Sequence, residues 1–231
     1  MSAEQMTGQG TAKQVAAQRA AELIESGMIV GLGSGTTATK FIQVLGERVQ
    51  QGLKIRAIAS SRASETLARS LNIPICDFES CPEIDLTVDG ADEVGPGLTL
   101  IKGGGGALLR EKIVISASRR FIVVADSSKL VQRLGHFPLP VEVVPMAAPL
   151  VRRRLEALGL TPAVRGRAAG TDYITDEGNL LLDCTSAGIE DPAAMAAAIR
   201  SIVGVVEHGL FLGMAELALI ADEHDVREYR G

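Results

Sequence analysis

The sequence predicts an α/β fold: a doubly wound, mostly parallel sheet with a second, smaller α+β domain. Three observations predict it. Short apolar runs alternate with amphipathic segments through residues 1–135, the order expected of right-handed crossovers between parallel strands. After Phe137 that order gives way to a β-α-β-β-α-β succession, which suits a small antiparallel sheet covered by helices. Hydrophobic residues make up 46% of the chain while aromatics make up 3%, with no Trp, so Ala, Val, Ile and Leu must fill the core. That is the palette of strands buried on both faces. A chain of 231 residues holds one large domain, or a large one with a small one.

The elements follow in order. Lys13 to Ser26 has helical spacing, with Val15, Ala16, Ala20, Leu23 and Ile24 on one side, and Gly27 stands where a C-cap belongs. Met28 to Leu32 is a short apolar strand, and a helix follows Gly33-Ser34-Gly35-Thr36-Thr37 as far as Val49. Ile55 to Ala59 is the next strand and Ser61 to Leu71 the next helix, with Ala63, Leu67 and Leu71 on one face. Leu86-Thr87-Val88 is a strand that runs into Asp89-Gly90-Ala91-Asp92-Glu93. Ala107 to Ser118 is a helix, and Phe121 to Ala125 a wholly apolar strand. In the second part, Val141 to Val144, Thr161 to Arg165, Leu180 to Cys184 and Val203 to Glu207 read as strands. Ala147 to Leu158 and Pro192 to Ile202 read as helices, the latter with Pro at its first turn. Tyr173-Ile174-Thr175 precedes the Asp176-Glu177-Gly178-Asn179 turn, and Met214 to Ile220 is apolar enough to return to the first domain. The expected domains are 1–135 plus 211–231, and 136–210.

Charge and composition exclude several classes. A net charge of −5 argues against non-specific nucleic-acid binding. No apolar stretch approaches the ~18–20 residues of a membrane span. Met1 to Gln18 lacks the apolar core of a signal peptide and reads as a polar tail entering a helix. Cys76, Cys81 and Cys184 are odd in number and lack metal-ligand spacing, so reduced thiols in a cytoplasmic protein are expected. His136, His208 and His224 are scattered, which gives a zinc site no support.

Two motifs sit where strands become helices. Gly31-Leu32-Gly33-Ser34-Gly35-Thr36-Thr37 can surround an anion with backbone N–H groups and hydroxyls at a helix start. Thr36 replaces the last Gly of a dinucleotide fingerprint, and the strand to Ala59 does not end in an acidic residue. A phosphate monoester is the favoured ligand, with a dinucleotide or a tight packing turn as alternatives. The other motif joins Asp89 and Asp92 to Lys102-Gly103-Gly104-Gly105-Gly106 and to Glu111 in the following helix. Four successive glycines lose much entropy on folding and suit backbone that comes close to a ligand. The carboxylates fit work on a substrate hydroxyl or carbonyl, while turn chemistry and a divalent cation stay open as alternatives. Glu111 is either a solvated helix-start residue or a carboxylate base kept ionised by the helix dipole. Lys102 could steady charge developing on oxygen. Lys129, after Asp126-Ser127-Ser128, falls at the same sheet edge as the first loop; Lys13 is a weaker phosphate candidate. Arg152-Arg153-Arg154 reads as a solvated helix face.

Taken in order, these pieces resemble ribose-5-phosphate isomerase of the A type. Ser60-Ser61-Arg62-Ala63-Ser64, Phe137-Pro138-Leu139-Pro140-Val141-Glu142-Val143 and His208-Gly209-Leu210-Phe211 extend the likeness over nearly the whole chain. The resemblance implies a Rossmann-like catalytic domain and reversible conversion of ribose 5-phosphate to ribulose 5-phosphate in the pentose phosphate pathway, without metal or organic cofactor. It implies Glu111 as the base of a cis-enediolate mechanism, Asp89 at ring opening with Asp92 near the same hydroxyls, and Lys102 at the enediolate oxygen. Ser34, Thr36, Thr37 and Lys129 would hold the phosphate, with Gly33 and Gly35 in the same loop and Gly103 to Gly106 against the sugar. Thr36 departs from the Ser of many members but keeps the hydroxyl. A homodimer or homotetramer in the cytoplasm is expected, with the small domain as the contact, and neither nucleic acid nor membrane as partner. Two rival readings are a sugar-phosphate deaminase or CoA-transferase-like enzyme, and a non-catalytic sugar-phosphate sensor. The short polar N-terminus leaves a sensor no room for a helix-turn-helix.

Overall fold

The computed structural model describes residues 3–167, 170–222 and 225–231; Met1, Ser2 and His224 lie outside them. The first half of the chain forms α1 (Ala3–Glu22), β1 (Ile29–Leu32), α2 (Gly35–Gln50), β2 (Arg56–Ala59), α3 (Arg62–Ser70) and β3 (Leu86–Asp89). Then come β4 (Glu93–Val94), β5 (Leu100–Ile101), α4 (Leu108–Ser116) and β6 (Phe121–Asp126). The second half adds β7 (Leu139–Val143), α5 (Ala148–Ala157), β8 (Thr161–Val164), β9 (Leu180–Thr185), α6 (Pro192–Arg200) and β10 (Val205–His208). It ends with β11 (Leu210–Phe211), β12 (Leu217–Ala221) and β13 (Val226–Arg230). The chain divides into two units: Met1–Ala91 with Arg110–Leu130 and Gly213–Gly231, and Asp92–Leu109 with Val131–Leu212.

The first unit is built on a six-stranded sheet in the order β13-β12-β6-β3-β1-β2, parallel except for β13. β3 and β6 are buried along their whole length, as strands covered on both faces must be. Their core includes Val30, Leu32, Leu86, Val88, Ile122 and Val124. The apolar tail returns as expected: β12 lies parallel to β6 with Leu217 opposite Ile122. The added β13 is absent from the sequence reading because Arg227, Glu228 and Arg230 break any apolar run; such charges suit an edge strand. From β1 the chain goes to β2 on one side and then to β3 on the other. The carboxyl ends of β1 and β3 therefore flank the switch point where open α/β sheets bind ligands.

Two local expectations are corrected. The first helix begins at Ala3 and ends at Glu22, and Gly27 is no helix cap. Its φ of 98° serves a turn into β1, in which its N–H donates to Lys54 O at 2.7 Å. Cys76 and Cys81 form a disulfide instead of standing as free thiols. Asp77 turns the intervening chain by accepting Ser80 N at 2.9 Å on its carboxylate and Cys81 N at 2.9 Å on its carbonyl. The two Cα atoms come within 6.4 Å, inside the span a disulfide bridges. Cys184 is free and buried, and burial pushes its thiol up to about 12.

The second unit contains the expected β-α-β-β-α-β succession, β7-α5-β8-β9-α6-β10, as an antiparallel sheet in the order β10-β7-β9-β8. A further sheet, β11-β5-β4, was not anticipated, because two-residue strands carry no periodicity. Its pairings β4 with β5 and β5 with β11 draw Asp92–Leu109 into this unit, whereas sequence order assigned that segment to the larger domain. The Arg152-Arg153-Arg154 face is exposed, with Arg152 paired to Glu156 one turn on. Among the described residues no helix is long and apolar enough to cross a membrane.

Candidate active site

In the first unit the site grows from the end of β3. Asp89 is fully buried, and its Oδ1 accepts Ser34 N at 2.9 Å and Gly90 N at 2.7 Å. A buried carboxylate is tolerable only when hydrogen-bonded in this way. The loop after β1 comes so close that a Cβ on Gly33 would lie 2.1 Å from Asp89 Oδ1, so no larger residue fits there. Ser64 in α3 fixes the same loop from behind, donating from Oγ to Gly33 O at 2.6 Å. Ser61 caps α3 by accepting Ser64 N at 3.0 Å.

The helix start beside Asp89 is arranged differently. Ser34 is the N-cap of α2 by position, yet its side chain makes no capping hydrogen bond. Its hydroxyl is instead hydrogen-bonded to Glu111 Oε1, and Glu111 is buried in the first turn of α4. The first N–H groups of α2 are thus left without a side-chain cap from Ser34, and an anion finds both donors and a favourable dipole there. Gly35 opens α2 at a φ of 83°, Thr36 is exposed and Thr37 buried. Lys129 follows β6, the neighbour of β3, and reaches the same carboxyl edge of the sheet half-buried. Lys13 lies within α1, half-buried, on a helix that packs against α2.

The second unit holds the other group of residues. Lys102 follows β5 and is buried; its Nζ lies 5.5 Å from the centre of the Phe211 ring, whose face favours a cation. Its backbone N–H donates to Gly209 O at 2.9 Å. Gly103 to Gly106 make a turn closed by Gly106 N to Gly103 O at 2.9 Å, and Gly103 and Gly106 have φ of 107° and 85°. Asp92 Oδ2 accepts Gly104 N at 2.7 Å, which ties the acidic cluster to the glycine run through backbone. A Cβ at Gly104 would come 2.5 Å from Asp92 Oδ1, and one at Gly106 would come 2.3 Å from the Tyr173 hydroxyl. Close approach, beyond turn geometry alone, requires these glycines.

Several participants escaped the sequence reading. Glu93 is buried and accepts Gly135 N at 2.7 Å and Phe137 N at 2.5 Å, pinning the approach to β7. Arg165 donates from Nη1 to Gly103 O and Gly104 O, both at 3.0 Å, and Tyr173 OH donates to Gly105 O at 3.3 Å. The available signal was a pair of opposite charges, Arg165 just after β8 and Asp183 inside the mostly apolar β9. Among the described residues, no three or more His, Cys, Asp or Glu side chains are grouped to hold a metal ion.

The segment bearing Tyr173 is itself anchored by a buried acid. Glu142 in β7 accepts Thr175 Oγ1 and Asn179 Nδ2, each at 2.9 Å. Burial pushes the Glu142 carboxyl above its usual range, against the lowering effect of those two donors. Its folded pKa then exceeds its unfolded one, so its contribution is fully present below the unfolded pKa and is lost as pH rises through the folded pKa. Relative to Glu142→Gln, the wild type should lose stability across that window, as read by urea unfolding at stepped pH. Parallel stability profiles for the two proteins would refute this.

Comparison with known proteins shows the family of the chain. The family described as "Ribose 5-phosphate isomerase A (phosphoriboisomerase A)" matches residues 56–225. The ribose-5-phosphate isomerase A of Sphingopyxis alaskensis is 53% identical over 209 residues, covering 90% of this chain and 91% of its own. The solved ribose 5-phosphate isomerase A of Methanocaldococcus jannaschii superposes with a TM-score of 0.91 at 37% identity, over 95% of this chain and 98% of its own. A D-ribose-5-phosphate isomerase in complex with phospho-erythronic acid reaches 0.92 at 35% identity over the full length of both chains. With its buried Asp89, its Ser34-tied Glu111 and its glycine run lying on a fold and sequence this similar, the chain belongs to the ribose 5-phosphate isomerase A family.

Proposed function

We propose that this chain interconverts ribose 5-phosphate and ribulose 5-phosphate through a cis-enediolate, with Glu111 as the general base. The observation that carries the proposal is the buried Glu111 carboxylate, hydrogen-bonded to the Ser34 hydroxyl beside an uncapped helix start. In this reading Asp89 assists opening of the furanose ring, with Asp92 near the same hydroxyls. Glu111 then takes the C2 proton of the open aldose and returns it to C1, while the hydroxyl proton passes from O2 to O1. Lys102 and the amides of the Gly103–Gly106 run other than those of Gly104 and Gly106, which are bound to Asp92 and Gly103 O, steady the enediolate oxygen, a stabilisation that needs fixed donors where charge develops. The phosphate sits on the Ser34–Thr37 loop and the N-terminus of α2, with Lys129 as its cationic partner. A handle at the far end of the substrate fixes register, which lets one carboxylate serve both carbons. The phosphorylated sugar acid bound by the solved relative has the chemistry such a site would hold.

Wild-type protein should convert ribose 5-phosphate in excess chelator. Glu111→Gln should lower kcat by about 10²–10⁴-fold, while isothermal titration still registers substrate binding. Turnover close to wild type in that variant would remove Glu111 from the base role. Lys129→Met should chiefly raise KM, and an unchanged KM would remove Lys129 from the phosphate site.

The same proposal includes a homodimer or homotetramer. The second unit exposes Met146 at 89% and Val203 at 84%, next to Leu150 and Val144, an apolar patch of the kind that associates. Light scattering should find an oligomer that Met146→Glu with Val203→Glu weakens; a monomeric wild type would end this part of the reading. A cytoplasmic role in the non-oxidative pentose phosphate pathway completes the proposal. Cells depleted of the protein should shift their ratio of ribose to ribulose 5-phosphate, and unaltered pools would exclude it.

A further inference from the structure

We infer that Arg165 is a positioning residue that sets the glycine run for the enediolate, an inference that rests on the isomerase reading above. The guanidinium is clamped on one side by Asp183, with Nε donating to Oδ2 at 2.8 Å and Nη2 to Oδ1 in a two-pronged pair. Nη1 donates to the carbonyls of Gly103 and Gly104 on its other side. Four of its five N–H groups are thereby in use. A lysine, with three donors on one atom, cannot span a carboxylate and two carbonyls together.

The consequence for the backbone is geometric. A trans peptide holds its N–H opposite its C=O, and the described residues contain no cis bond. With Gly103 O and Gly104 O drawn to Arg165, the N–H groups of Gly104 and Gly105 are turned the other way. Gly104 N–H does point away, to Asp92 Oδ2 at 2.7 Å. Glycine by itself would let these peptides flip at little cost. Arg165 removes that freedom, and Tyr173 adds to the restraint: its ring lies 5.8 Å from the Arg165 guanidinium carbon and its hydroxyl reaches Gly105 O. The pair Arg165–Asp183 is mostly buried, with side chains 13% and 28% exposed, so the clamp is held in one arrangement. It touches the carbonyl side of the run; with Gly104 N–H given to Asp92 and Gly106 N–H to Gly103 O, the Gly105 amide is the one it sets toward the ligand.

The test uses full-length wild type, Arg165→Met and Arg165→Lys, with thermal melts to establish that each folds. Both variants should lower kcat by about 10²-fold while KM for ribose 5-phosphate changes less than threefold. Inhibition by phospho-erythronic acid should weaken by a similar factor, since in this reading its carboxylate takes the place of the enediolate oxygens at the Gly105 amide. Arg165→Lys should not rescue activity, although it keeps the charge. If Arg165→Met fails to fold, Arg165→Lys is read by the same criteria. A kcat within threefold of wild type in a folded variant, or a rise in KM with kcat and inhibition unchanged, overturns the inference. An active wild type with unimpaired variants defeats this inference alone, whereas an inactive wild type defeats it together with the isomerase reading.

Discussion

A carboxylate buried at the end of a central strand dictates much of the first unit. Asp89 has no exposed surface, and a polar group in that position is tolerated only with donors aimed at it. The donors come from backbone: Ser34 N in the loop after β1 and Gly90 N in the loop after β3. This binds the two loops on either side of the switch point to one oxygen. It also forces the residue at 33 to be glycine, because any side chain would overlap the carboxylate. The start of α2 is placed by the same constraint, and with it the Ser34 hydroxyl that meets Glu111.

The second unit solves a related problem with the opposite charge. Lys102 is buried just after a two-residue strand and lies over the Phe211 ring. The run that follows has little conformational preference of its own, so its shape is imposed from outside. Arg165 holds two of its carbonyls, Asp92 holds one of its amides, and Tyr173 fills the space a side chain at Gly106 would need. Flexible sequence and fixed geometry are compatible here because the restraint comes from distant strands. The entropy given up by the glycines is offset by hydrogen bonds they accept and donate.

Much of the fold was legible because long elements carry periodicity. The strands Leu86–Asp89 and Phe121–Asp126 and the returning tail at Leu217–Ala221 announced themselves through apolar runs. β4, β5 and β11 did not, since two residues show no period, and the grouping of Asp92–Leu109 with the second unit followed from their pairings. The Cys76–Cys81 bond was missed for a related reason: counting thiols says nothing about a turn at Asp77 that brings them together.

The sequence by itself determined the alternation of strands and helices and the residue types available for chemistry: the carboxylates at 89, 92 and 111, the lysines at 102 and 129, and the glycines. These are local properties, written in spacing and composition. Only the tertiary structure decided how those groups are held. Ser34 turns from capping its helix to meeting Glu111, and Arg165, 62 residues beyond Gly103, fastens the glycine run. Contacts between residues so far apart in the chain arise from strand pairing and burial, and neither distance nor direction between them is encoded in any local pattern.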